Sequence, residues 1–319
     1  MKSLRIVAIV LILACLCPIL GGCQRRDKDL KMGLGIVASQ KEGKASFSVT
    51  VCAVVVDRKG EIRQIALDVI DCSATVGSNG SVSAPKSYES KQQKGYFYGM
   101  QGYSGIDKEW NEQAEGFCYF AKGKTAEKLT GLVDDKGQAT DSALKSICTI
   151  GIGDFVKAAV RAINNADVAV DAESTVSLGL YAVDHGSASA SDTAAGKYAV
   201  DLNVAAVAAK DGIIDSLVTD VLQMSASVSA TGAVSAAGAL KTKDELGDEY
   251  GMKSAWGSQR EWYEHNDAFC AYAKGKNASA LLGLPDASGK PTDADLLTTC
   301  TIGVSELCRA VVMALNAQN

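Results

Sequence analysis

The sequence predicts an α+β fold that occurs twice, as two tandem repeats that each pack an antiparallel sheet against C-terminal helices. The segment that starts at Lys91 recurs from Lys243, an offset of 152 residues (243 − 91), with roughly 32 identities over about 76 aligned positions. Alternating β-branched runs open each half, and apolar residues at helical spacing close it. A single offset over so long a stretch predicts that each copy is a complete folding unit.

The first part of each repeat has the pattern of an antiparallel hairpin. Residues 45–56 (ASFSVTVCAVVV) alternate, a turn follows at 58–60, and residues 62–76 resume the strand pattern. Residues 198–209 (YAVDLNVAAVAA) match the first strand in the second repeat, and a short strand (GLGIVAS or SLGLYAV) precedes each hairpin. The fixed offset aligns Cys52 with Val204.

The second part of each repeat has helical periodicity. One face of a predicted helix that ends near Gly123 carries five apolar residues, which are Ile106, Trp110, Ala114, Phe117 and Ala121. A last helix is predicted over 154–164. Strands followed by helices that cover one face predict an α+β layer. We place the two repeat domains at 32–166 and 174–319.

The N-terminal residues indicate a lipoprotein. Two basic residues and an apolar run over 6–20 precede Leu-Gly-Gly-Cys, which ends at Cys23. This ending resembles a bacterial lipobox and implies cleavage after residue 22 and a diacylglycerol, with acyl chains such as palmitate, on the Cys23 sulfur. Two acyl chains suffice for stable anchoring. We therefore expect a signal peptide at 1–22, a lipidated tether at 23–31, and a location on the extracytoplasmic face of a bacterial membrane.

The charge balance argues against a nucleic-acid partner. Removal of residues 1–22 takes away two of the 32 basic residues and none of the 37 acidic ones, which leaves 30 against 37, or −7. An acidic chain has no basic stripe with which to follow phosphates. The expected partners are membrane lipid through the anchor and an unknown ligand or envelope protein.

The cysteines outside the leader predict disulfides. Cys118 and Cys148 recur as Cys270 and Cys300 at the same offset, whereas neither Cys52 nor Cys72 recurs. Two cysteines that form a disulfide are typically present together or absent together in the two copies, and the expected compartment is oxidising. We predict the bridges Cys118–Cys148, Cys270–Cys300 and Cys52–Cys72, with Cys308 as a buried thiol. Redox or metal chemistry is the alternative, but no C-x-x-C occurs and neither of the two histidines recurs.

The segment before each last helix is the place where chemistry is most readily expected. The first copy reads SICT at 146–149 and the second reads DLLTTCT at 295–301. This segment resembles the D-x-x-[ST]-G-A-[ST] motif of the FMN-binding domain family, whose members are small α+β units of bacterial envelope electron-transfer proteins. The resemblance implies FMN as a cofactor, attached through its phosphate to the final threonine. The matching residues are Thr301, Thr298 and Asp295 in the second copy and Thr149 and Ser146 in the first.

Both copies depart from that motif. Ala143 replaces the acidic residue in the first copy, and the Gly-Ala pair is Ile147-Cys148 or Thr299-Cys300. Side chains at the glycine position fill space that a phosphate would need. Threonine hydroxyls at a helix entry are also common caps, which is the alternative interpretation of Thr149 and Thr301. We therefore expect a non-enzymatic binding or interaction protein, with a flavin-dependent electron carrier as the alternative.

Other recurrent residues have structural interpretations. We interpret Glu109/Glu261 and Glu112/Glu264 as solvated helix faces, and Asp134/Asp286 as turn residues. The recurrent aromatics are expected mainly in the core. Tyr98 follows a polar stretch and is the best candidate for the wall of an exposed pocket.

Overall fold

The computed structural model describes residues 29–318, apart from the side chain of Trp256, and it confirms the α+β class. The predicted signal peptide, Cys23 and most of the predicted tether lie outside the described residues. The strands are β1 (Leu30–Gln40), β2 (Ser46–Val56), β3 (Ile62–Ser73), β4 (Thr75–Val76), β5 (Val82–Ser83), β6 (Val168–Val170), β7 (Thr175–Asp184), β8 (Gly196–Lys210) and β9 (Ile213–Val228). They form antiparallel sheets of order β3-β2-β1-β6 and β7-β8-β9, and β4 pairs with β5.

Each long hairpin is followed by helices. They are α1 (Lys91–Lys94), α2 (Trp110–Ala121), α3 (Ala126–Thr130), α4 (Ser142–Lys145), α5 (Gly153–Asn164), α6 (Lys243–Leu246), α7 (Met252–Trp256), α8 (Trp262–Ala273), α9 (Ala278–Leu282), α10 (Ala294–Leu297) and α11 (Ser305–Asn316). The order β1-β2-β3 followed by helices to α5 recurs as β7-β8-β9 followed by helices to α11. The origin of this order in a duplication, and the boundaries 32–166 and 174–319, stay predictions.

The two large sheets pack face to face, and the long helices cover their outer faces. One apolar core joins Met32, Val49 and Val51 of the first sheet to Leu202 and Val204 of the second. A second core joins the first sheet to α2 and α5, and a third joins the second sheet to α8 and α11. The layers therefore follow the order helix, sheet, sheet, helix, and both halves contribute to the central core.

The two hairpins differ by one residue, which corrects the fixed offset. Val56 pairs with Ile62 in the first hairpin, whereas Ala209 pairs with Ile214 in the second, so the second loop is one residue shorter. Side chains alternate between the two faces of a strand, so a shift of one residue exchanges the faces. The residue equivalent to Cys52 is therefore Ala205, which also faces the helices. The alignment of Cys52 with Val204 was wrong.

Two glycines let the last helix of each half lie close to its sheet. A Cβ atom on Gly35 would lie 2.0 Å from the carbonyl oxygen of Ala158, and one on Gly179 would lie 1.9 Å from that of Ala310. Contacts of that length are prohibited for a side chain. The helix backbone therefore contacts the strand directly in both halves.

We predict that Gly35→Ala and Gly179→Ala each lower the free energy of unfolding. The helix must move away from the sheet to admit a methyl group, and overpacking of this kind costs about 3 kcal/mol. Chemical denaturation monitored by circular dichroism measures the change. Gly102→Ala is the matched control, because a Cβ there meets nothing within 4 Å. Equal unfolding midpoints for all three variants would contradict the close approach.

Candidate functional site

In the first copy, the hydroxyl group of the predicted acceptor Thr149 is already hydrogen-bonded. The Thr149 hydroxyl lies within hydrogen-bond distance of the Ser104 carbonyl oxygen (2.9 Å) and of Gln113 Oε1 (3.1 Å), and the Thr149 N–H donates to Gln113 Oε1 at 2.8 Å. Ser146 donates to the Ala143 carbonyl at 2.7 Å. The N-cap residue of α5 is Ile152, so Thr149 does not cap that helix. Its hydroxyl joins the end of α4 to the loop before α2, which fits FMN attachment poorly.

In the second copy, the hydroxyl group of the predicted acceptor Thr301 has no hydrogen-bond partner among the described residues. Thr298 donates to the backbone carbonyl of Asp295 at 2.7 Å, which closes the end of α10. Thr301 is exposed, and its hydroxyl makes no hydrogen bond within residues 29–318. Its N–H lies 3.5 Å from Nδ1 of His265. Of the two predicted acceptors, only Thr301 has a hydroxyl that is free to carry a phosphate.

A cleft of about 590 Å³ lies on the outer side of the first half, beside the segment that contains Thr149. Its wall includes Ile150 and Gly151, three lysines and three aromatic residues, which are Lys91, Lys136, Lys157, Tyr98, Trp110 and Phe155. Tyr98 thus lines an exposed pocket, as the sequence predicts. Lys91 lies beside the Tyr98 and Trp110 rings, and two carboxyl groups, those of Asp135 and Asp154, also line the cleft, so its charge is mixed.

One lysine contacts two rings in each half. Lys91 Nζ lies 5.1 Å from the ring centroid of Tyr98 and 5.6 Å from that of Trp110. Lys243 makes the same contacts with Tyr250 and Trp262, at 4.9 and 5.4 Å. Cation–π contacts therefore hold the loop before the long helix against the helix in both halves.

The segment 95–105, which supplies Tyr98 and Met100 to this cleft, also holds three aromatic side chains in solvent. Tyr96, Phe97 and Tyr103 are 72%, 92% and 92% exposed. At the offset of 152, the first two correspond to Asp248 and Glu249. The exposed rings of Tyr96 and Phe97 therefore have no counterpart at the equivalent positions of the second half.

Glu109 and Glu261 are buried, so the prediction of a solvated face is wrong for them. Each precedes the first residue of its helix, and helical periodicity does not govern a cap. Glu109 accepts hydrogen bonds from the N–H groups of Met100 (2.8 Å) and Gln101 (3.0 Å), and Glu261 accepts the same two bonds in the second half. Burial acts to raise the pKa of Glu109, but the N–H donors outweigh it and the pKa is lowered. These two carboxylates position the loops that carry the aromatics.

Two buried carboxyl groups, at equivalent positions of β3 and β9, were missed by sequence analysis. Asp68 Oδ1 accepts from the N–H of Gln92 in α1 at 3.1 Å, and Asp220 Oδ1 accepts from the N–H of Asp244 in α6 at 3.2 Å. Burial raises the pKa of Asp68 to about 6 and that of Asp220 to about 7, although hydrogen bonds from Ser90 and Thr242 act against it. Their recurrence at the offset of 152 was a signal that could have revealed them.

The three predicted disulfides are not formed in the structure, where all seven cysteines from Cys52 to Cys308 are free thiols. Cys52 faces the helices, whereas Cys72 faces the other sheet. Cys52 pairs with Leu67, and Cys72 is five positions beyond Leu67, an odd step that places it on the opposite face of the strand. A bridge between them would have to cross the sheet, so that prediction is wrong.

The thiols of the recurrent pairs are also unbridged. Cys118 and Cys148 belong to the core under α2, and Cys270 and Cys300 to the core under α8. Burial raises the pKa of Cys118 to about 12 and those of the other three to about 11. None is a thiolate at neutral pH, and a thiol in that state is a poor nucleophile and metal ligand.

Comparisons with known proteins do not assign this chain to a family. No protein-family description, curated protein or solved structure matches the chain. Within residues 29–318, none of the helices has the length and hydrophobicity that a membrane crossing needs. No group of three or more His, Cys, Asp or Glu side chains in that range is arranged to hold a metal ion.

We predict that titration of the buried Asp220 carboxyl group lowers the free energy of unfolding as the pH rises. The unfolded chain loses this proton near pH 3.9 and the folded chain near pH 7, so the folded state binds more protons between these values. The free energy of unfolding therefore declines across that window by up to about 1.4 kcal/mol per pH unit for this group. Asp220→Asn keeps the acceptor oxygen and removes the titration, so its profile should be flatter.

Denaturant unfolding at pH 5, 6, 7 and 8 measures the two slopes. Asp192→Asn, which changes an exposed loop residue, is the control and should keep the slope of the unsubstituted protein. If Asp220→Asn shows that same slope, the buried carboxyl does not retain its proton as described.

Proposed function

We propose that this protein is a lipid-anchored binding protein on the extracytoplasmic face of a bacterial membrane, attached through Cys23 and without a catalytic role. The exposed aromatic segment 95–105 carries the proposal. Exposed aromatic rings are unfavourable in water unless a partner covers them, and Tyr, Phe and Trp are enriched where proteins bind one another. Tyr96, Phe97 and Tyr103 provide three such rings within eight residues.

Comparison of the two halves indicates that folding does not require these rings. The second half forms the same short helical turn over Gly247–Tyr250 that the first forms over Gly95–Tyr98, and it does so with Asp248 and Glu249 in place of the rings. A glutamate cap holds each loop in the same way. The aromatics of the first half are therefore available for a contact outside the fold.

The reactive side chains of the described chain support binding rather than catalysis. The buried carboxyl groups of Asp68, Glu109, Asp220 and Glu261 accept bonds from backbone N–H groups and thereby hold loops in place. In the outer cleft the rings of Tyr98 and Trp110 lie beside Lys91, an arrangement that favours a partner with apolar or π-rich groups.

The alternative is a flavin-dependent extracytoplasmic electron carrier. The free hydroxyl of Thr301, three residues after Thr298 and six after Asp295, favours FMN attachment in the second half. Bound FMN would supply electron transfer. Thr149 is the weaker candidate, because its hydroxyl is already bonded to the loop before α2.

A visible absorption spectrum separates the two functions. The full chain is expressed with a flavin transferase, purified folded and precipitated with acid, and we expect a colourless protein. A yellow pellet would contradict the proposal and support the electron carrier. In that case Thr301→Val should abolish the colour, whereas the matched variant Thr149→Val should keep it.

A cross-linking experiment tests the proposed surface directly. A photoreactive phenylalanine replaces Tyr103 in cells, and the double variant Tyr96→Asp/Phe97→Glu installs the residues of the second half. We expect a cross-linked partner that is at least tenfold less abundant in the double variant. The same photoreactive residue at Thr193, an exposed position of the second half, is the control. Equal adducts at both sites would contradict a specific surface.

A further inference from the structure

Two clefts lie along the seam between the halves, at equivalent positions. The α5 cleft, of about 730 Å³, lies between β1 and α5 of the first half and β9, α6 and α8 of the second. The α11 cleft, of about 410 Å³, lies between β7 and α11 of the second half and β3, α1 and α2 of the first. Each is therefore bordered by one edge of each large sheet.

In the α5 cleft the outward carbonyl groups of β1 have donors from the same chain. The Leu34 carbonyl accepts from Nδ2 of Asn165 at 3.1 Å, and the Ile36 carbonyl accepts from Nη1 of Arg161 at 2.5 Å. Arg161 also lies 3.3 Å from Glu245 across the cleft. β6 pairs with the earlier part of β1. The Leu34 and Ile36 carbonyl groups at this edge of β1 thus have partners within the chain.

The α11 cleft lacks the equivalent donors. At the offset of 152, Met313 and Ala317 stand where α5 has Arg161 and Asn165, and neither side chain can donate a hydrogen bond. Val176 directs its N–H outward to Gln64 Oε1 at 2.9 Å, so the next residues of β7 with outward groups are Leu178 and Leu180. Within residues 29–318, no hydrogen bond reaches the backbone groups of these two leucines on that side.

The walls of the α11 cleft are apolar and acidic. Ile65, Leu67 and Met313 contribute apolar surface, and Asp68 and Glu115 contribute carboxyl groups. None of the sixteen residues that line the cleft is Lys, Arg or His. A complementary occupant therefore carries positive charge and apolar side chains.

We propose that the α11 cleft binds an extended peptide with alternating apolar and basic residues, which adds to the edge of β7. The peptide would exchange backbone hydrogen bonds with Leu178 and Leu180, whose spacing of two residues, about 6.8 Å, is the repeat of a β-strand. Gln64 blocks the edge at Val176, so the added strand begins beyond it. This inference goes beyond the proposed function, because it concerns the seam and uses none of the residues 95–105.

The test uses the full chain in detergent and a synthetic probe, the acetylated and amidated heptapeptide VKVKVKV. We expect titration calorimetry to show one site and hydrogen exchange to show new protection of the Leu178 and Leu180 amides. Two further peptides are N-methylated on the valines or on the lysines. Only one set of alternate amides faces β7, so one methylated peptide should bind normally and the other at least tenfold more weakly.

Met313→Arg/Ala317→Asn installs the donors of the α5 cleft and should weaken peptide binding at least tenfold. Met313→Leu introduces no donor and is the matched control, which should bind as the unsubstituted chain does. The proposal is overturned if the unsubstituted chain shows no binding at millimolar peptide, if both methylated peptides bind alike, or if the double variant binds normally. Self-association of the free chain that the double variant abolishes would identify a second copy as the occupant and would also overturn it.

Discussion

The apolar face that the two large sheets share is the constraint on which the rest of the structure depends. Val49 and Val51 of one sheet and Leu202 and Val204 of the other are buried in a single core, so neither half can satisfy its inner face alone. Helices can then occupy only the outer faces. The edges of the two sheets meet along two seams, and the cleft geometry follows from that meeting.

Much of the fold was predictable because burial imposes a period on the chain. The apolar face from Trp110 to Ala121 gave the position of α2. The helix begins at Trp110 and does not include Ile106, because Asp107 has a φ of +53°, outside the right-handed helical region. The sheet-to-sheet contact was not predictable. Residues 51–56 are apolar throughout because both faces of β2 are covered, and a continuous apolar run does not identify what covers each face.

The errors at the candidate site have specific physical causes. The bridge between Cys52 and Cys72 was predicted because neither cysteine recurs, but joint absence does not reveal that the two side chains lie on opposite faces of the sheet. Glu109 was assigned to a solvated helix face because it borders a helix, yet as a cap it points back into its own loop. The partial motif at Thr149 and Thr301 was visible in sequence, but only the structure distinguishes the bonded hydroxyl from the free one.

The shared central core also sets an order of events during synthesis. The first half leaves the ribosome roughly 150 residues ahead of the second, which at about 5–20 residues per second is an interval of roughly 8–30 s. Throughout that interval the inner face around Phe47 has no sheet to cover it. A nascent chain in this state is open to association with other nascent chains. The inner face stays uncovered until Tyr198 arrives to stack on Phe47.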